Sequence, residues 1–247
     1  MVKFIFQITK FIISIIMMLL MLSCGNVVNS LTGGLSGNGN VVSTNRTVSE
    51  NFDVIEAKTG IKVIIEQSQN VAVEAKTDEN LQDHLKTEVA NGVLSIYFDE
   101  SINTADERTV YVKVPSLKKI SSSSGASVES TSTIKSENLD LKSSSGSSMN
   151  LSVISKNLSC DSSIGSKITA SGKSENLRTE SSSGSSIVLN DLEVANAVCK
   201  SSSGSSTKVN PLESLDADAS SGSSIKYYFT PKQIRIDESS GASVSKK

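Results

Sequence analysis

The sequence predicts an all-β chain folded as a parallel β-helix, a β-solenoid with coils of about 19–20 residues, and three observations predict it. First, Gly125, Gly146, Gly165, Gly184, Gly204, Gly222 and Gly241 stand in near-copies of one Ser-Ser-Gly-Ser phrase, at steps of 21, 19, 19, 20, 18 and 19 residues. A fixed period near twenty is the mark of a solenoid. Second, apolar residues keep constant offsets from those glycines. Third, the offsets within a coil differ by two, the side-chain period of a strand, where a helical repeat would need three and four.

The columns are explicit. Seven residues before the glycine stand Leu139, Leu158, Leu177, Ala197, Leu215 and Ile234, and five before stand Ile120, Leu141, Cys160, Thr179, Cys199, Ala217 and Ile236. Three after stand Val128, Met149, Ile168, Ile187, Thr207, Ile225 and Val244, followed two residues on by Leu151, Ala170, Leu189, Val209 and Tyr227. Each coil therefore carries two strands with inward residues, and the glycine lies between them, where a turn needs a φ that other residues resist. Eight before the glycine come Asn138, Asn157, Asn176 and Asn196, then Ser214 and Gln233. Stacked asparagines at a coil corner hydrogen-bond along the stack, as in cross-β ladders; the alternative is the ordinary preference of Asn for turns. Ser/Gly-rich sequence is usually a linker, but a linker has no reason to hold apolar residues in register. Small serines suit tight corners and narrow interiors, and their hydroxyls can satisfy one another.

The remaining elements follow in chain order. Residues 1–23 read as a lipoprotein signal peptide: Lys3 and Lys10, an apolar run from Phe11 to Leu22 that is short for a bilayer span, then Met21-Leu22-Ser23-Cys24-Gly25. That ending resembles a lipobox, which implies lipidation of Cys24 and a membrane anchor; an ordinary secretory signal with a chance cysteine is the alternative. Residues 24–45, uncharged from Gly25 and with five glycines, read as a flexible tether. Residues 46–115 read as an N-terminal β part whose strands form the first coils. Val54, Ile61, Val63 and Ile65, then Val71 and Val73, alternate with polar residues. Leu81 and Leu85, four apart behind Asp78, predict a short helix capped by that aspartate. Asn91-Gly92 predicts a hairpin turn, and Val110, Val112 and Val114 a strand that stops at Pro115. Residues 116–247 are the Ser/Gly-rich β-helical repeats.

The chemistry is mostly one of exclusion. A net charge of −2 gives no basic face for nucleic acid. The single histidine, His84, reads as a surface or packing residue, so no metal, cofactor or catalytic residue is assigned. Gly-x-Ser-x-Gly is absent, and Ser-x-x-Lys at Ser205–Lys208 and Ser223–Lys226 is a chance match in so much serine. Asp140, Asp161, Asp191, Asp216, Asp218 and Asp237 scatter over several columns, as on a solvated face. Cys160 and Cys199 share a column two coils apart, about 9.6 Å at ~4.8 Å per coil, beyond the ~7 Å reach of a disulfide. They are expected to be free, buried thiols.

Beside this reading stands a resemblance. Gly39-Asn40-Val41-Val42, Phe52-Asp53-Val54-Ile55, Gly60-Ile61-Lys62-Val63-Ile64-Ile65-Glu66-Gln67, Asp78-Glu79-Asn80-Leu81, Leu85-Lys86-Thr87-Glu88-Val89 and Gly92-Val93-Leu94 occur in that order. Serine-glycine coils follow a Val-Pro strand end. This resembles the head GIN domain family of auto-transporter-type adhesins, over roughly residues 39–244. The resemblance implies a right-handed β-helical fold in a secreted or lipid-anchored envelope protein, with no catalytic residue or ligand to carry over. The expectation is a non-enzymatic, lipid-anchored cell-envelope protein at the outer membrane, an adhesin or surface-binding module. A periplasmic scaffold and a carbohydrate-active β-helix enzyme are the alternatives, with glycans or envelope proteins as partners, no nucleic acid, and an open oligomeric state.

Overall fold

Each coil closes on two consecutive left-handed residues. In the computed structural model, which describes residues 33–48 and 50–247, Ser145 and Gly146 have φ of 52° and 69°. The Ser147 N–H donates back to the Ser144 carbonyl at 3.2 Å. Positive φ at both central residues is the signature of a tight I′-type turn, and glycine takes the second place without steric cost. The same left-handed pair recurs at all seven repeat glycines and in the Asn91-Gly92 hairpin, and also at Thr59-Gly60, which the serine period does not reveal.

The N-terminal strands are β1 (Leu35–Ser36), β2 (Val41–Arg46), β3 (Val54–Ala57), β4 (Lys62–Gln67), β5 (Ala72–Asp78), β6 (Leu85–Ala90), β7 (Val93–Phe98), β8 (Ile102–Thr104) and β9 (Arg108–Val114). The repeats supply β10 (Lys119–Ser122), β11 (Ser127–Ser130), β12 (Ile134–Ser143), β13 (Ser148–Ser162), β14 (Lys167–Ser181), β15 (Ser186–Ser201), β16 (Ser206–Ala219), β17 (Ser224–Tyr227), β18 (Gln233–Glu238) and β19 (Ser243–Lys246). From β10 onward the pairing is parallel and follows the predicted columns: Leu139, Leu158, Leu177, Ala197, Leu215 and Ile234 are successive partners. The β-solenoid is thus the fold of the chain.

The N-terminal strands do form the first coils, but not in chain order. β3 and β4 pair with β10 and β11 on one side, and with β7 and β9 on the other. The coil made by β7 and β9 therefore lies outside an earlier one. Antiparallel strands then close that end: β5 joins β9 and β2, and β6 folds onto β7 through the expected Asn91-Gly92 turn. This covers sheet edges that would otherwise invite pairing with another chain.

Two expectations change. The tether expected over residues 24–45 is already structured from β1: β1 pairs with β8 and β2 with β5. Backbone pairing orders this stretch, with Leu35 packed against the core. The helix behind Asp78 shrinks to one 3-10 turn, Glu79–Leu81, and Asp78 does not cap it. Its buried carboxylate instead accepts the N–H groups of Gly39 at 2.8 Å and Asp106 at 2.9 Å, pinning two loops to the end of β5.

The core is narrow. Ile55, Val63, Ile120, Val128, Leu141, Ile168, Ile187 and Ile225 are fully buried along the axis. At the turn edge the interior is serine. Ser143 and Ser147 hydroxyls lie 2.8 Å apart, and the Ser147 hydroxyl sits 2.9 Å from the Ser122 carbonyl it can donate to. Ser166, Ser185, Ser205 and Ser223 repeat that contact to Ser143, Ser162, Ser181 and Ser201. A buried hydroxyl costs stability only when unpaired, so the serine spine fits without penalty. Cys160 and Cys199 are free and buried, with Thr179 between them in register. Burial pushes the Cys199 thiol up to about 12 and raises that of Cys160 as well.

Candidate functional site

What the chain can do depends on what the coils present outward, and the corner opposite the glycine turn presents most. Along β13, inward and outward residues alternate until Lys156 and Asn157, which both point out. This break in period two bends the strand. Hydroxyls two residues before the asparagines hold the bend: Ser136 Oγ donates to the Asn138 carbonyl at 2.8 Å, and Ser174 Oγ to the Asn176 carbonyl at 3.0 Å. The underlying phrase Ser-x-Asn-Leu occurs at Ser136–Leu139, Ser155–Leu158 and Ser174–Leu177. Sequence reasoning found its Asn and Leu columns and missed its serine, though the signal was there.

The asparagines form a directed ladder. Asn157 Nδ2 donates to Asn138 Oδ1 at 2.8 Å, Asn176 to Asn157 at 2.9 Å, and Asn196 to Asn176 at 3.3 Å; Ser214 Oγ then donates to Asn196 at 2.8 Å. Beside the ladder runs a groove of about 800 Å³. Leu117, Leu139, Leu158 and Leu177 lie buried beneath it, Asn138, Asn157 and Asn176 edge it, and Val198 stands at its far end. A second hollow of about 330 Å³ continues along the same columns past Val198 to Ile234. The volume falls in the range of small-molecule sites, which combine apolar walls with a few convergent polar groups. The charged rim is largely paired: Lys118 meets Asp53, Arg178 meets Glu180, and Lys142 stands 3.9 Å from Asp140.

The acidic residues gather less than an acid–base centre requires. Asp161 and Glu180 are partners on adjacent coils beside Lys200. They lie on open surface among serines, with Arg178 on Glu180, and lack the apolar wall that keeps one carboxyl of a catalytic pair protonated. His84 Nδ1 meets Asp99 at 3.0 Å on the surface, and Lys86 bonds the other oxygen of that carboxylate. Together His84 and Lys86 hold Asp99 below the usual carboxylate value, Lys86 first.

The structure places Gly125, Gly146, Gly165, Gly184, Gly204, Gly222 and Gly241 in one row along the turn edge, each with positive φ. They shape the coil and stand apart from the groove. Cys24, the residue expected to carry the lipid, lies outside the described residues. Among the described residues, no helix is long and apolar enough to cross a membrane.

Solved structures share this fold. An adhesin so titled ("putative adhesin") from Bacteroides fragilis is 17% identical with a TM-score of 0.81, over 87% of this chain and 100% of its own. A protein of the same title from Parabacteroides merdae is 19% identical with a TM-score of 0.70, over 86% and 98%. A "putative lipid binding protein" from Parabacteroides distasonis is 20% identical with a TM-score of 0.70, over 86% and 99%. Among curated proteins, none matches the chain. One family's sequence model, described as "Putative auto-transporter adhesin, head GIN domain", matches residues 51–231, and the chain belongs to that family.

Proposed function

We propose that this protein is a non-enzymatic surface-binding module of the cell envelope, anchored by lipid at Cys24, that engages its partner along the asparagine-edged groove. The observation that carries the reading is the groove itself: about 800 Å³, leucine-floored and amide-edged, running with the solenoid axis. The family description supports an adhesive role, and signal, anchor and rod form a layout that holds a long face away from a membrane. A periplasmic scaffold for another envelope protein would use the same groove. The apolar floor and the name of one solved neighbour leave a lipid chain as a further occupant.

Two experiments test this. Metabolic labelling with a fatty acid should mark the wild-type protein and spare Cys24→Ala; label on both would remove the anchor. Ser159 lines the groove, and Ser159→Arg should abolish capture of isolated envelope material, glycans and proteins assayed apart, while leaving the melting transition in place. Unchanged capture would place the binding elsewhere.

A further inference from the structure

We infer that the groove takes a linear, uncharged glycan laid along the solenoid axis, one sugar ring to each coil. The inference rests on the reading that the groove is the binding site, and it names the ligand. It starts from what the ladder leaves unused. A side-chain amide has two N–H donors and a carbonyl oxygen with two lone pairs. In the ladder, Asn157 and Asn176 each spend one N–H and one lone pair on their neighbours. Each such rung keeps one donor and one acceptor, and these amides lie at the surface rather than in the core. The rungs repeat at the spacing of adjacent strands, about 4.8 Å.

A ligand that uses every rung must repeat at that spacing and offer both donor and acceptor at each repeat. The pyranose rings of an extended 1,4-linked glycan advance by close to this distance, and each hydroxyl both donates and accepts. An extended peptide advances about 3.3 Å per residue and falls out of step with the rungs. Of the charges at the rim, Lys118 and Arg178 are paired with Asp53 and Glu180, and Lys135 stands with Glu137 and Asp140 of opposite sign, so the groove carries little excess charge to hold a polyanion.

The test is a length series. Neutral 1,4-linked gluco-oligosaccharides from monosaccharide to hexasaccharide are titrated calorimetrically into the full chain. Affinity should climb with each ring to the tetrasaccharide and then level off, because the ladder has four asparagines, Asn138, Asn157, Asn176 and Asn196. Asn157→Ala combined with Asn176→Ala should weaken tetrasaccharide binding by about 25-fold, roughly fivefold for each rung, with circular dichroism checking the fold. If that variant fails to fold, the length series on the wild type decides alone. No binding at any length, a plateau at the first or second ring, or full affinity in the double variant overturns the inference. Ser159→Arg separates this from the broader reading. Loss of envelope capture in a protein that binds no oligosaccharide keeps the groove and discards the glycan. Uptake of a fluorescent fatty acid, abolished by the same substitution, makes the occupant a lipid and discards the glycan too.

Discussion

The glycine that tolerates least is not one of the seven in the turns. Gly172 lies within β14, opposite Val153 of the preceding coil and Leu192 of the next. Its φ is +116°, and a Cβ built there would stand 2.1 Å from the Val153 carbonyl oxygen and 3.2 Å from its carbon. Ordinary carbon–oxygen contacts begin near 3.3 Å, so Gly172→Ala must open the coil spacing by roughly 1 Å. That stretch takes N–H···O bonds out of range. Two ladder bonds at about 1 kcal/mol each, added to about 1–3 kcal/mol of backbone strain, give a cost of about 3–5 kcal/mol.

Gly184→Ala is the matched control. Gly184 has φ of +68° with nothing within 4 Å of a built Cβ, so only the left-handed backbone is penalised, by about 1–2 kcal/mol. Urea unfolding followed by circular dichroism measures both variants, with equal slopes confirming that midpoints report stability. The expected order is Gly172→Ala well below Gly184→Ala, itself modestly below wild type. Equal midpoints for the two variants would refute the argument that contact between coils, rather than turn geometry, sets the cost.

Four further outcomes are expected. The Thr179 hydroxyl is buried with no oxygen or nitrogen partner and only the Cys199 thiol beside it, so Thr179→Val should raise stability by about 1 kcal/mol; a loss in the same urea assay would mean the hydroxyl is paired with that thiol. Burial lifts Cys199 to about 12, so the folded state favours the neutral thiol. Its contribution is complete below the unfolded value of about 8.5 and is lost as pH rises toward the folded one, so the urea midpoint should fall over that alkaline range and fall less in Cys199→Ala. Iodoacetamide followed by peptide mapping should find both Cys160 and Cys199 unlabelled until the chain unfolds. At Asp78 burial alone would raise the carboxyl, but N–H groups of Gly39, Asp106 and Glu107 outweigh it and hold it below 3.8. That contribution is present above the unfolded value and lost as pH drops through the folded one, so acid, or Asp78→Asn at neutral pH, should expose residues 37–48 to protease first.

The repeats were legible in the sequence because a solenoid writes each structural position many times. Cys160, Thr179 and Cys199 could be stacked from their offsets alone, and their free thiols followed from the spacing. The capped end was not legible in the same way. Its turn at Thr59-Gly60 has no serine phrase, and the placing of β7 and β9 outside β3 and β4 depends on parallel pairings between segments far apart in sequence, Val54 with Val93 and Lys62 with Thr109. Gly172 also escaped, because the extra residue that shifts register between β14 and β15 shows only once both strands are paired. The groove was half legible. Its columns could be read, but a hollow depends on the angle of the corner at Asn157, which no periodicity supplies.

That corner separates folding from function more clearly than any other part of the molecule. If the asparagines were needed to turn the chain, the coils lacking them would turn differently. Ser214 and Gln233 stand in line with Asn196 and their coils close on the same Ser-Gly turn, but the register slips by one residue between Val194/Asn196 and Pro211/Ser214, and the chain leaves strand between Tyr227 and Gln233. The coil of Asn196 also turns with Val194 and Ala197 where the preceding coil carries Ser174 and Leu177. Surface amide pairs add about 1 kcal/mol each at most, little beside the buried aliphatic columns at about 1.5–3 kcal/mol per side chain. A directed ladder of amides, at one spacing, along the margin of the groove therefore adds little to the fold's stability and keeps donors and acceptors free on its outer side.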